Sequence, residues 1–203
     1  EKTVAAGVLK EPVGVGKLLR AHKEYLRERK FDPKQIQRLW GIGGIGIAPR
    51  LQWRLYLPIV HQGVTVSWTT RSLDPNAAVR YVSARPGEEI LFHRGLLYGQ
   101  DYCRTDSVVV HEGPTDVWRT GPGAVCTFGT NFSQSQVLKL SKFETRCIVF
   151  DATSEGQRAA MKLVDLLKVF PGKTFNVKLK SKDMGSATEK ERRRVREEFL
   201  WAI

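Results

Sequence analysis

Four carboxylates follow apolar, strand-like runs in the second half of this chain: Glu112, Asp116, Asp151 and Asp183. Because the carboxyl ends of parallel strands line one edge of a sheet, these acids can converge at that edge. Carboxylate oxygens, together with water and phosphate oxygens, are the ligands that Mg²⁺ prefers. The spacing therefore predicts a divalent-metal site that handles phosphates. The alternative for any single acid is a helix cap or a solvated side chain.

The elements that must position these acids alternate between strands and helices. The apolar runs predict strands at 107–112, 124–128, 146–151 and 174–180, and helices at 115–119, 133–141 and 156–169. Such alternation is typical of a mostly parallel, doubly wound sheet flanked by helices. A charged helix is predicted over 188–201. Its basic side chains either contact a phosphate backbone or form a solvated face.

The first half of the chain predicts an α+β subdomain. Amphipathic spacing indicates helices over 16–30 and from Asp32 to Trp40, and strands are expected at 55–60, 64–70 and 78–82. Asp32 is a suitable N-cap, and the proline after it suits the first helical position. The segment Gly41–Gly46 matches G-x-G-x-x-G, but it follows a helix instead of a strand. We therefore expect a flexible bend there and no dinucleotide site.

The composition favours a polyanionic partner. Lys and Arg number 33 against 21 Asp and Glu, which gives a net charge of +12. This surplus suits nucleic acid or nucleotides, although a merely soluble basic protein is the alternative.

The cysteines Cys103, Cys126 and Cys147 are odd in number and form no C-x-x-C pair, so neither a disulfide framework nor a zinc site is expected. No apolar stretch approaches the ~18–20 residues of a membrane span, and a reducing cytoplasm is the expected setting.

The acidic motifs carry a family resemblance. Glu112-Gly-Pro-Thr-Asp116, Phe150-Asp151-Ala-Thr-Ser-Glu-Gly156 and Lys182-Asp183, in this order, resemble the TOPRIM domain of topoisomerases and primases. Segments of the first half resemble the RNA-polymerase N-terminal subdomain of DnaG-type primases: Thr70-Arg71-Ser-Leu, Arg80-Tyr-Val-Ser83 and Phe92-His-Arg94-Gly-Leu-Leu-Tyr-Gly99. The resemblance implies a primase-like subdomain over 1–103, a TOPRIM domain over 104–186 and a basic C-terminal helix over 187–203.

The resemblance also implies an activity, in which short RNA primers are made from NTPs on a single-stranded DNA template. It assigns catalysis to Glu112, Asp116 and Asp151, and binding of Mg²⁺ or Mn²⁺ to Glu112, Asp151 and Asp183. Template and nucleotide are assigned to Arg71, Arg80 and Arg94. Zinc is expected only in a module preceding this sequence, and a replicative helicase only as a partner of segments outside it. No membrane partner is expected.

Two positions depart from the family pattern. The motif usually written D-x-D has Thr153 as its second member, and the acid expected two residues after Asp183 is Gly185. We therefore expect a divergent viral or plasmid primase of weakened activity, in which Glu155 either substitutes for a missing acid or serves as a first-turn helix acid. The alternatives are a degenerate TOPRIM protein, which binds single-stranded nucleic acid or a replication partner without catalysis, and thirdly a TOPRIM nuclease.

Overall fold

The chain divides into two compact units, Glu1–His93 and Arg94–Ile203. A computed structural model describes residues 7–200 of these units. The predicted mixed α/β class is confirmed, with an antiparallel sheet in the first unit and a parallel sheet in the second. The predicted domains 1–103, 104–186 and 187–203 stay a prediction, because compactness alone does not define functional domains.

The first unit is built on a five-stranded antiparallel sheet whose spatial order follows the chain. Its strands are β1 (Val15–Gly16), β2 (Gly43–Ile45), β3 (Arg54–His61), β4 (Val64–Ser72) and β5 (Tyr81–Ser83). The predicted hairpin joins β3 to β4 through Gln62 and Gly63, both with positive φ. Turns with two positive φ values match the right-handed twist of the strands they join.

Two short helices, α1 (Arg20–Glu28) and α2 (Pro33–Trp40), accompany this sheet. Asp32 is the N-cap of α2, as predicted, and its carboxylate accepts hydrogen bonds from the backbone of Lys34 and Gln35. One core cluster of this unit, which includes the almost fully buried Trp68, lies beside β2, β3 and β4. Each helix also buries one face, with His22 and Leu26 buried in α1 and Ile36 and Trp40 buried in α2.

The predicted flexible bend over Gly41–Gly46 is wrong for residues 43–45, which form β2. A Cβ on Gly44 would lie 2.8 Å from the ring of the fully buried His22, whose Nε2 lies 3.1 Å from the carbonyls of Ile45 and Arg54. The glycine is needed for this close packing and not for flexibility. The predicted helix start at Gly16 is also wrong, because β1 pairs with β2 and the helix begins at Arg20.

The second unit contains a four-stranded parallel sheet in the order β7-β6-β8-β9. Its strands and helices alternate along the chain: β6 (Ser107–His111), α3 (Pro114–Thr120), β7 (Ala124–Cys126), α4 (Gln134–Leu140), β8 (Thr145–Ile148), α5 (Ser154–Leu167), β9 (Lys173–Asn176) and α6 (Glu189–Phe199). The predicted doubly wound sheet is therefore confirmed. Its core joins the apolar side chains of β6 and β8 to the inward face of α5, where Leu163 and Leu167 are fully buried.

The last predicted strand, 174–180, is too long. The parallel ladder ends at Asn176, and the backbone N–H groups of Lys180 and Ser181 donate to Glu191 instead of to a neighbouring strand. Leu179 is buried without being part of the sheet. Asp183 consequently lies on a loop between β9 and α6. Trp201, the predicted end of the last helix, lies outside the described residues.

No helix within residues 7–200 is both long enough and apolar enough to cross a membrane.

Candidate active site

Glu112 follows β6 directly and is held against the end of the neighbouring strand. Its Oε1 accepts a hydrogen bond of 2.9 Å from the backbone N–H of Asp151, and its own carbonyl accepts one of 2.8 Å from Gly129. A Cβ on Gly156 would lie 2.6 Å from this Oε1 and 2.5 Å from the carbonyl oxygen of Asp151. The first turn of α5 therefore has room for Glu112 only because residue 156 is glycine.

Asp151 is in electrostatic contact with the other acids. Partial burial, with the negative charges of Asp116 and Asp183, raises the pKa of Asp151 to about 6, although the Lys182 ammonium opposes the shift. The pKa of Glu112 is likewise raised by burial, by Asp151 and by Glu155. Asp116 and Asp183 therefore lie near enough to Asp151, and Asp151 and Glu155 near enough to Glu112, for their negative charges to interact.

The loop between β9 and α6 is bonded to the other acidic segments at two points. The carbonyl of Lys182 accepts a hydrogen bond of 2.7 Å from Ala152, and the N–H of Gly185 donates to Oδ1 of Asp116 over 3.2 Å. Asp183 itself accepts hydrogen bonds from the backbone and hydroxyl of Ser186. The position where the family has a further acid therefore supplies a backbone donor to Asp116.

Thr153, the other departure from the family pattern, caps α5. Its Oγ1 accepts a hydrogen bond of 3.0 Å from the N–H of Gly156. Glu155 is exposed in the first turn of the same helix and accepts a hydrogen bond of 2.9 Å from Thr130. Thr153 thus has a helix-capping role, whereas Glu155 is bonded to Thr130 and lies near enough to Glu112 to raise its pKa.

Sequence reasoning missed His111, which ends β6 beside Glu112. Its ring is buried, with Nδ1 3.0 Å from the carbonyl of Val149 and Nε2 2.7 Å from the hydroxyl of Thr120. Burial lowers its pKa to about 4, so the ring is neutral at pH 7. Because a carbonyl only accepts, Nδ1 carries the proton and Nε2 accepts from Thr120. His111 therefore fixes the strand end that carries Glu112.

The three predicted basic residues lie in different surroundings. Arg71 is only 5% exposed, and its guanidinium donates to the hydroxyls of Tyr25 and Tyr81. Arg80 and Arg94 are exposed. Arg80 and Arg94 can therefore contact a ligand directly, whereas Arg71 is already bonded inside the first unit.

The arginines of α6 are neutralised within their own helix. Each forms an ion pair with a glutamate one or two turns away: Arg192 and Arg196 with Glu189, Arg193 with Glu197, and Arg194 with Glu198. Arg193 and Arg194 have side chains that are 66% and 70% exposed, which favours the solvated-face alternative for these two residues. Arg192 and Arg196 are only 15% and 22% exposed.

The donor set suits a hard divalent cation. All four acids supply oxygen, the charge of Asp151 raises the pKa of Glu112, and the backbone N–H of Asp151 donates to the Glu112 carboxylate. Within residues 7–200, however, no three His, Cys, Asp or Glu side chains are arranged to hold an ion by themselves. Mg²⁺ commonly takes one or two carboxylates and completes its shell with water and substrate phosphates, so these residues fit that ion.

The fold is similar to that of primase catalytic cores. Over 89% of the chain, the structure superposes on the Aquifex aeolicus primase (zinc-binding and RNA polymerase domains) with a TM-score of 0.74 at 20% identity, spanning 56% of that chain. The RNA polymerase domain of Mycobacterium tuberculosis DnaG, solved with double-stranded DNA, gives 0.62 at 24% identity, with 81% of this chain and 66% of that one covered. The primase fragment of the bacteriophage T7 primase-helicase gives 0.62 at 17%, with 96% and 82% covered.

The predicted resemblance to a DnaG-type catalytic core is therefore confirmed as a likeness of fold. No family model and no curated protein matches the chain.

Proposed function

We propose that this chain is the catalytic core of a DnaG-type primase, which makes short RNA primers from NTPs on single-stranded DNA with Mg²⁺ or Mn²⁺. The observation that supports the proposal is a set of hydrogen bonds at one sheet edge: the N–H of Asp151 donates to Glu112, and the loop that carries Asp183 is bonded to Ala152 and Asp116. A basic chain of +12 suits the polyanionic substrates. The DNA in the Mycobacterium tuberculosis structure adds support from a protein of like fold.

Each group then has a defined task. Glu112, Asp151 and Asp183 would hold the metal, which when bound lowers the barrier for attack of a 3′-hydroxyl and for departure of pyrophosphate. The N–H of Asp151 orients the carboxylate of Glu112, and the N–H of Gly185 orients that of Asp116. The exposed Arg80 and Arg94 would neutralise phosphates of the nucleotide and template, and Arg71 would add its charge from inside the first unit.

The test is a template-dependent synthesis assay with labelled NTPs and either Mg²⁺ or Mn²⁺. Glu112→Gln is expected to lower the rate at least ~100-fold, because a neutral amide loses the charge that holds the metal. Asp165→Asn is the matched control, since Asp165 is an exposed acid paired with Lys168 on the surface of α5. Absence of product from the wild type, or an unaffected Glu112→Gln variant, would contradict the proposal.

The departures at positions 153 and 185 favour a second candidate function. Thr153 caps a helix and Gly185 donates a backbone N–H, so two carboxylates of the family pattern are replaced by groups with structural tasks. The second candidate is a degenerate TOPRIM protein that binds single-stranded nucleic acid without catalysis. Salt-dependent binding that EDTA does not change, with no primer synthesis, would select it over the first.

The proposal extends to partners and setting. NTPs and single-stranded DNA are the direct partners, a replicative helicase would bind through segments outside this sequence, and the cytoplasm of a host cell is the setting for a viral or plasmid form.

A further inference from the structure

Glu191, in the first turn of α6, accepts five hydrogen bonds on one carboxylate. Its Oε1 accepts from the backbone N–H of Lys180 at 2.8 Å and of Ser181 at 3.2 Å. Its Oε2 accepts from the hydroxyl of Ser181 at 2.8 Å and from the N–H and hydroxyl of Thr188, each at 3.0 Å. The Ser181 hydroxyl and the surrounding N–H groups lower its pKa to about 2, so it is fully ionised at neutral pH.

These five donors come from both ends of residues 180–188, the part of the loop between β9 and α6 that directly precedes α6. We call this part the loop 180–188. Lys180 and Ser181 begin the loop and Thr188 ends it, so a single side chain holds the two ends together. A helix-capping box requires only the bonds to Thr188. The bonds to Lys180 and Ser181 therefore go beyond what capping α6 demands.

The same loop is hydrogen-bonded to the candidate catalytic acid Asp116 and to Ala152, the residue after Asp151. Between its ends lie Asp183, the Lys182 carbonyl that accepts from Ala152, and the Gly185 N–H that donates to Asp116. Displacement of the loop would consequently move Asp183 itself, remove the Gly185 hydrogen bond from Asp116 and remove the Lys182 hydrogen bond from Ala152.

The helix that carries Glu191 is a firm attachment point. Val195 is 2% exposed and Phe199 is 7% exposed, and the ring of Phe199 packs against Phe175 of β9 at a centroid distance of 5.5 Å. These buried apolar contacts hold α6 against the sheet, and with it the backbone of Glu191.

We propose that Glu191 is a positioning residue that sets the separation of Asp116, Asp151 and Asp183 by clamping the loop 180–188, which makes α6 part of the acidic site. Glu191 touches no reacting group and acts through the loop. The clamp itself stands independently of the proposed function, and only its effect on metal binding rests on that function.

The test measures the loop and the metal separately in Glu191→Gln. Glutamine keeps the size of the side chain but offers one acceptor oxygen, so it cannot satisfy donors at both ends of the loop. We expect amide hydrogen exchange at Ala152 and Gly185 to become roughly tenfold faster, while exchange at Val109 in the central strand stays unchanged. Mn²⁺ binding, followed by electron paramagnetic resonance, is expected to weaken roughly tenfold.

Glu197→Gln is the matched control, because Glu197 lies on the same helix in an exposed ion pair with Arg193. It is expected to change neither measurement. If Glu191→Gln fails to fold, Ser181→Ala removes one of the five bonds and is expected to give a smaller acceleration at the same two amides. Unchanged exchange at Ala152 and Gly185 in a folded variant overturns the clamp. Wild-type protein that binds no Mn²⁺ contradicts the proposed function, while the amide exchange still decides the clamp.

Discussion

At the scale of single residues, the fold holds the carboxylates of Asp116 and Asp183 near Asp151, where their negative charges repel one another. Asp151 keeps a pKa of about 6 because it is partly buried beside two further acids. In the unfolded chain its pKa returns to the ordinary value of 3.8. A carboxyl whose pKa is raised by folding contributes stability below the unfolded pKa and loses that contribution as the pH rises through the folded one. The ionised site therefore lowers the stability of the metal-free protein at neutral pH.

Asp151→Asn is accordingly expected to stabilise the metal-free protein. Solvent screening reduces the effect to on the order of 1 kcal/mol, which corresponds to a rise in Tm of ~2–4 °C for a chain of this size. The rise should be present at pH 7.5 in EDTA and should vanish towards pH 4, where the folded wild type is protonated at this position. Thermal melts at the two pH values check this, and an equal rise at both would contradict it.

Several residue-scale features could be predicted from the sequence because they depend on near neighbours. Asp32 was expected to cap α2 and does so through N–H groups two and three residues away. The burial of Arg71 could not be predicted, because its partner hydroxyl on Tyr25 is 46 residues distant in the chain. Glu191 was missed for a similar reason. Its charged neighbours indicate a solvated helix, and the donors from Lys180 and Ser181 arrive from outside that helix.

At the scale of elements, the start of α5 combines a helix cap with the acidic edge. Thr153 occupies the second position of the D-x-D motif and caps the helix through Gly156. Aspartate is at least as good an N-cap as threonine. One substitution can therefore restore the missing acid without loss of the cap.

We expect Thr153→Asp to bind Mn²⁺ about tenfold more tightly, because an added carboxylate increases the charge of the site. In EDTA its Tm should fall slightly below that of the wild type, since a negative charge is added two residues from Asp151, whose pKa is already raised by other acids. Thr153→Ser is the control, because it keeps the cap and adds no charge. Isothermal titration with Mn²⁺ measures the difference, and equal affinity for the Asp and Ser variants would show that position 153 does not face the ion.

The existence and type of the elements in the second unit could be predicted from the sequence, whereas the end of the last strand, β9, could not. The valine run of β6 and the apolar face of α5 have clear strand and helix periods, and both elements are present. The strand predicted over 174–180 ends at Asn176. Its apolar continuation is buried through Leu179, so local hydrophobicity alone cannot distinguish a buried loop from a strand.

At the scale of the whole molecule, the positive charge is divided between buried, paired and exposed groups. Arg71 is buried, the arginines of α6 are paired within the helix, and Arg80 and Arg94 are exposed. A net charge of +12 therefore overstates how many of these groups are available to bind a nucleic-acid backbone.

Arg94→Ala is expected to affect binding of nucleic acid, whereas Arg71→Ala is expected to affect the stability of the fold. Arg94→Ala should leave the Tm unchanged, weaken binding of single-stranded DNA and reduce its salt slope by ~0.7, the loss of one phosphate contact. Arg71→Ala should lower the Tm by several degrees, because two tyrosine hydroxyls lose their buried partner. Fluorescence anisotropy over a salt series and thermal melts measure these effects. A stable Arg71→Ala variant with weakened binding would instead give Arg71 a direct contact.

The position of β9 has a consequence for colloidal behaviour. It is one of the two outer strands of the parallel sheet, with one side of its backbone unpaired in that sheet, and outer strands of this kind promote association between molecules. This strand is four residues long and begins with the exposed Lys173, and the exposed Lys178, Lys180 and Lys182 follow it. Short length and lysine charge are what keep such edges from pairing. We therefore expect part of the positive charge of this protein to oppose edge-to-edge pairing between its copies.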